Sequence, residues 1–147
     1  MRARVVVGAV MLGMLCGCGP KKLAEADLYN VQAGLGAGLP YPVMEWRAIT
    51  SVVDRHAETT STLFGNDAAV SAARAGVAYP KGAVLGLVTR REREDPHWFG
   101  ARIPGSAVAI EFVEVGGADR VFVGRPWREG AGTSAREILG MKAAVAP

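Results

Sequence analysis

The chain is short of cysteine. It has two among 147 residues, and both fall in one tetrapeptide, Leu15-Cys16-Gly17-Cys18. Nothing downstream of Cys18 can form an internal disulfide, a thiolate zinc site, an iron–sulfur cluster or a thioester. Histidine is equally scarce: His56 and His97 stand alone, without the close spacing of a metal-ligand pair. No serine sits in a G-x-S-x-G elbow, because Gly105-Ser106-Ala107 does not extend to one. The glycine run Gly34-Leu-Gly-Ala-Gly-Leu-Pro40 lacks G-x-G-x-x-G spacing and follows no strand, which argues against a phosphate cradle. No internal repeat is present. Charge of one sign is also lacking. The chain carries 17 basic and 14 acidic residues, but two of the basic ones are Arg2 and Arg4. Without the first 17 residues the balance is 15 against 14, so no basic surface for nucleic acid follows.

What is present begins at the amino terminus. Arg2 and Arg4 form a positive region, and Val5 to Leu15 is an apolar stretch too short to span a bilayer. Leu15, Gly17 and Cys18 then stand at −3, −1 and +1 of a bacterial lipobox. The expectation is a lipoprotein signal peptide over residues 1–17, with acyl chains such as palmitate on Cys18 after cleavage. An ordinary secretory signal or an uncleaved anchor is the plainer alternative. Each buried methylene contributes about 0.8 kcal/mol, so several chains on one cysteine make a durable anchor. Gly19 rather than Asp follows the cysteine. By the enterobacterial sorting rule this favours the outer membrane over the inner, on the periplasmic side.

Residues 18–40 read as the lipidated cysteine and a flexible tether, and residues 41–147 as one domain. Trp46 to Val53 and Thr59 to Phe64 read as strands, the first with a helical spacing that fits nearly as well. Asn66 caps a helix that Gly76 closes, with Ala69, Val70 and Ala73 as a small inner face. Ala83 to Thr89 has the near-continuous apolarity of a central strand, and Arg90 to Asp95 reads as a solvated strand end or hairpin. Pro104-Gly105 is expected to turn the chain. Ala107 to Val115 alternates with Val108, Ile110 and Phe112 on one face. Gly116-Gly117-Ala-Asp119 links it to Arg120–Gly124 as a hairpin. Ser134-x-x-Glu137 has the form of a capping box opening a last helix. The expected fold class is α+β: a single small domain with an antiparallel sheet and two packed helices.

Trp46 and its strand, Leu63-Phe-Gly-Asn-Asp-Ala68, Tyr79-Pro-Lys-Gly-Ala-Val84 and Asp95-Pro-His-Trp-Phe-Gly100 occur in an order that resembles the cytochrome P-460-like family. The match runs from about Tyr41 to Val115. The resemblance implies a small periplasmic antiparallel α+β domain, commonly a homodimer. It also implies haem attached near the C-terminus through Cys-x-x-Cys-His, in some members with a lysine cross-link to the porphyrin. This chain departs on both counts. No cysteine follows Cys18, and Leu87 falls near the position of the cross-linking lysine. Haem is therefore expected, if at all, only non-covalently.

The candidate ligand pocket comprises Trp46, His56, Asp95, His97, Trp98 and Phe99. Asp95 beside His97 can fix the imidazole tautomer, and His97 or His56 would then serve as an axial ligand or general base. The plainer reading makes Asp95 a cap on the Pro96 turn, with His97 packed on Trp98. Likewise, Trp46, Trp98, Phe99 and Trp127 suit either a pocket for a flat ligand or ordinary packing. Arg125-Pro126-Trp127-Arg128 suits a recognition loop or a solvated hairpin end. Three functions follow. The chain is a lipid-anchored, haem-free and non-catalytic protein binding a partner or small apolar ligand, a non-covalent haem protein of redox or gas-ligand type, or an enzyme using an Asp–His pair. The first is favoured, with no metal and no catalytic residue assigned.

Overall fold

A computed structural model of the chain describes residues 29–124, 127–132 and 135–144. Six strands lie in sequence order, each antiparallel to the next: β1 Arg47–Asp54, β2 Thr59–Gly65, β3 Val84–Glu94, β4 Arg102–Glu114, β5 Arg120–Val123 and β6 Arg128–Glu129. One helix, α1 (Asp67–Ala75), joins β2 to β3, and a short one, α2 (Ala135–Gly140), follows the sheet. Two 3-10 turns, Val31–Ala33 and Val43–Glu45, precede it.

Local chemistry explains several of these elements. The Asn66 side chain accepts from Ala69 N and Val84 N and donates to Gly82 O, so one residue caps α1 and ties it to the start of β3. Gly76 ends α1 in the left-handed conformation, where a side chain would be strained. The expected strands at 46–53, 59–64, 83–89, 107–115 and 120–124 all form, and the 116–119 link joins β4 and β5 as neighbours.

The expected pair of packed helices does not hold. The described residues are mostly sheet, with strands of 11 and 13 residues at its centre and α1, at nine residues, as the one helix of ordinary length among them. The second segment stops after six residues, at Gly140, although its Ile138 is buried. Ser134, read as its cap, lies outside the described residues, as do the signal segment, Cys18, Arg125 and Pro126. Strand also runs through the turn expected at Pro104-Gly105. The charged run forms the end of β3, as expected, to Glu94, and Pro104-Gly105 lies within β4 at a bulge, with Arg90 paired to Ala107 and Glu92 to Pro104. Nor is the charged run wholly solvated, since Arg90 is buried.

The sheet has two covered faces. On one, α1 and α2 pack over Ile49, Leu63, Leu85, Leu87 and Val113. Gly65 allows this, because a Cβ there would lie 2.8 Å from both Ala69 Cβ and Ile49 Cδ1. Among the described residues no α-helix packs on the other face. It is covered by residues 29–46, whose Leu35 and Val43 pack with Val88, Ala107, Ile110, Phe112 and Phe122. Gly86 is its counterpart of Gly65: a Cβ there would meet Val43 Cγ2 at 2.8 Å and Phe112 Cε1 at 3.1 Å. Long-range bonds hold this cover in place. Arg90 donates to Ala33 O from Nε (3.3 Å) and Nη2 (2.9 Å), and Trp127 Nε1 donates to Leu35 O at 2.9 Å.

Candidate functional site

Phe112 is the centre of the aromatic face. Its ring lies 5.2 Å from Tyr41, 6.3 Å from Trp46 and 6.0 Å from Phe122, the latter two edge-on. Such tilted and edge-on contacts are the favoured packing of aromatic quadrupoles. The cluster is thus filled by its own rings, with Arg120 lying over Phe122 at 5.3 Å. Tyr41 donates its hydroxyl to Glu114 at 3.0 Å. That bond, then burial and the carboxylate's charge, pushes the phenol above its ordinary range despite the opposing pull of Arg120.

The six candidate pocket residues do not converge. Trp46 precedes β1 at the end where Arg47 pairs with Gly65, and it belongs to the aromatic face. His56 lies in the turn at the opposite end of β1, which at about 3.3 Å per residue is some 25 Å along the strand. There Asp54 Oδ1 accepts from His56 N (2.9 Å) and Ala57 N (3.0 Å), and these backbone bonds hold the Asp54 carboxyl below its ordinary value. Asp95, His97, Trp98 and Phe99 share the turn between β3 and β4. Asp95 Oδ1 stands 3.4 Å from His97 Nδ1 and accepts from His97 N at 2.8 Å. The carboxylate–imidazole approach is thus the closure of one local turn, as in the plainer reading. The turn itself, residues 95–101, holds no serine, threonine, cysteine or lysine to act as nucleophile. Trp98 and Phe99 are 73% and 110% exposed.

Sequence reasoning singled out Trp46 but missed Tyr41 and Arg90, which help to close the aromatic face. Tyr41 marked only a domain boundary and Arg90 only a charged run. A buried arginine shows no period in the sequence, because its partner is a carbonyl 57 positions away. A recess on the opposite face was missed as well. It encloses about 630 Å³ between the end of α1 and residues 139–144, with Val77, Tyr79, Leu139 and Met141 in its lining and Arg74 and Lys142 contributing charge. Ala144 N donates to Ile49 O at 3.0 Å and secures its far wall to β1. Burial pushes the Tyr79 phenol above its ordinary range.

A capped helix after two strands, a central strand entered through Tyr79-Pro-Lys-Gly82 and an aromatic sheet face together make a recognisable frame. The family model for cytochrome P460 matches residues 41–131, more than half of the chain. The chain belongs to the cytochrome P460 family. No curated protein matches the chain at a significant level. The matched span begins at Tyr41, so in this P460 domain the cover formed by residues 29–40 lies outside it.

The described residues of this P460 domain include no cysteine for a covalently held haem. Thioether bonds need cysteines, and none follows Cys18. Leu87, near the resemblance's cross-linking position, is buried among Leu63, Leu85 and Val113. His56 and His97 are both exposed, at strand-connecting turns away from the aromatic face. Among the described residues no three of His, Cys, Asp and Glu are grouped to hold a metal ion. Among them, too, no helix is long and apolar enough to cross a membrane.

Proposed function

We propose that this member of the cytochrome P460 family is a lipid-anchored protein of the bacterial envelope that works by non-covalent binding rather than by redox chemistry. The observation that carries the reading is the aromatic face around Phe112, closed by Tyr41, Trp46 and Phe122 instead of opening to a flat cofactor. The cysteine inventory supports it from the sequence side, because the lipobox takes the one sulfur that acylation needs and leaves none for haem. Binding then falls to surfaces and to the recess beside α1, whose apolar lining and two cationic side chains suit a small amphipathic ligand.

Two measurements test the reading. Hemin titrated into the purified protein is expected to give no Soret band beyond that of free hemin. A band that is lost in His97→Ala or His56→Ala overturns the haem-free assignment. Growth with a clickable palmitate analogue is expected to label the wild type and not Cys18→Ser. An unlabelled wild type overturns the anchor.

A further inference from the structure

The β3–β4 hairpin outruns its neighbours. Thr59 of β2 pairs with Arg91, and Val123 of β5 pairs with Ala109, so residues 92–104 extend beyond both flanking strands. Glu92 N still donates to Glu58 O in the β1–β2 turn at 2.8 Å, so two further residues of β3 project about 7 Å at strand rise, before the turn itself. At its tip stand Trp98 and Phe99, both exposed. The turn that carries them is well formed. Asp95 N donates to Ala101 O at 2.9 Å and Ala101 N to Trp98 O at 3.1 Å, while Asp95 Oδ1 accepts from His97 N. Gly100 adopts a left-handed φ of 77° that closes it. A rigid turn therefore holds two large apolar rings in water, at a place where neither contributes to the core.

The amino-terminal side of the fold starts at this same end. Asn30 accepts from Arg93 Nη2 at 3.2 Å and donates to Pro104 O, bonding to both strands of the hairpin near its tip. Tyr29 and Val31, on either side of it, are exposed. Cys18 is eleven residues before Tyr29, a span of at most about 38 Å when fully extended. A lipid on Cys18 would thus keep the hairpin end, beside which the described chain begins, within reach of the bilayer.

We propose that Trp98 and Phe99 dock into the interfacial region of the membrane that carries the anchor, fixing the orientation of the domain on it. The location rests on the lipid-anchor reading; the exposed aromatic tip stands without it. Aromatic rings are at home at the headgroup level, where their apolar bodies leave water while the indole N–H keeps a partner. Charge plays little part. Arg55, Arg91, Arg93 and Arg102 at this end face Asp54, Glu58, Glu92, Glu94 and Asp95, close to balance, and Arg102 is already bridged to Glu58 (3.0 Å) and Glu92 (3.6 Å). Docking should therefore proceed on zwitterionic lipid and resist salt.

The full lipidated protein is reconstituted in phosphatidylcholine vesicles brominated near the top of the acyl chains. The emission that distinguishes wild type from Trp98→Phe, with Trp46 and Trp127 common to both, is expected to be lost to bromine quenching at low and high salt alike. Replacing Phe99 with serine should reduce that loss, with unchanged circular dichroism. Mass spectrometry of the amino-terminal peptide reports acylation separately. Acylated protein with unquenched Trp98 overturns the docking and leaves the anchor standing; quenched Trp98 in unacylated protein does the reverse. Trp98 emission that shifts to the blue with protein concentration in the absence of lipid assigns the tip to a second copy of the chain and also overturns the proposal.

Discussion

The two ends of the β3–β4 hairpin differ in what covers them. At one end Leu85, Leu87 and Val88 pair with Val113, Glu111 and Ile110, and the sheet is covered on both faces. At the other, residues 92–104 run past their neighbours and end in two exposed aromatics. The backbone pairing resumes beyond the register shifts at Arg90, so hydrogen bonding does not separate them. Burial does. The covered end concentrates the apolar contacts that stabilise the fold, which leaves the projecting end free to present side chains without cost to folding.

Substitutions should expose that contrast, and the largest effect is expected at the covered end. Phe112→Ala removes the ring on which Tyr41, Trp46 and Phe122 converge, and should destabilise by about 3–5 kcal/mol in chemical denaturation. Gly86→Ala should cost about 1–3 kcal/mol, since the added methyl meets buried Val43 and Phe112 rather than a yielding side-chain end. A neutral result there would show that the 29–46 cover moves aside easily. Asn66→Ala should cost about 1–2 kcal/mol, because the lost side chain both caps α1 and bonds the start of β3.

Alkali should act on the covered end through Tyr41. Its folded-state pKa is raised, chiefly by the bond to Glu114, so its contribution is complete below the unfolded value near 10 and lost as pH rises through the folded one. The urea midpoint should therefore fall on the alkaline side, and less steeply in Tyr41→Phe. The smallest effect belongs to the tip. Trp98→Ala should change stability by no more than about 0.5 kcal/mol, and a larger loss would mean that the two ends are not independent.

Legibility followed the range of the interactions. Helix α1 could be read because its cap, its acidic first turn and its closing glycine lie within eleven consecutive residues. The central strand was visible as an apolar run, and the 116–119 link as turn chemistry. Pro104-Gly105 misled, because turn composition suggested a reversal where the structure has a bulge held from Asn30, 74 positions away. The candidate pocket misled for a related reason. Trp46 and His56 are close in sequence, yet an extended strand carries them to opposite ends of the sheet. The second helix was overestimated because a capping pattern marks where a helix starts and says nothing about how far it runs.

The sequence alone determined which covalent chemistries the domain lacks, since the count and place of its cysteines need no fold to be known. It also determined the elements whose bonds close locally. Only the tertiary structure decided that residues 29–46 cover the second face, that the aromatic rings fill their own space, and that the exposed tip shares an end with the entering chain. Those outcomes depend on contacts such as Arg90 to Ala33 and Trp127 to Leu35, between residues 57 and 92 positions apart. No local pattern encodes such pairings, because burial and long-range hydrogen bonding are properties of the assembled fold.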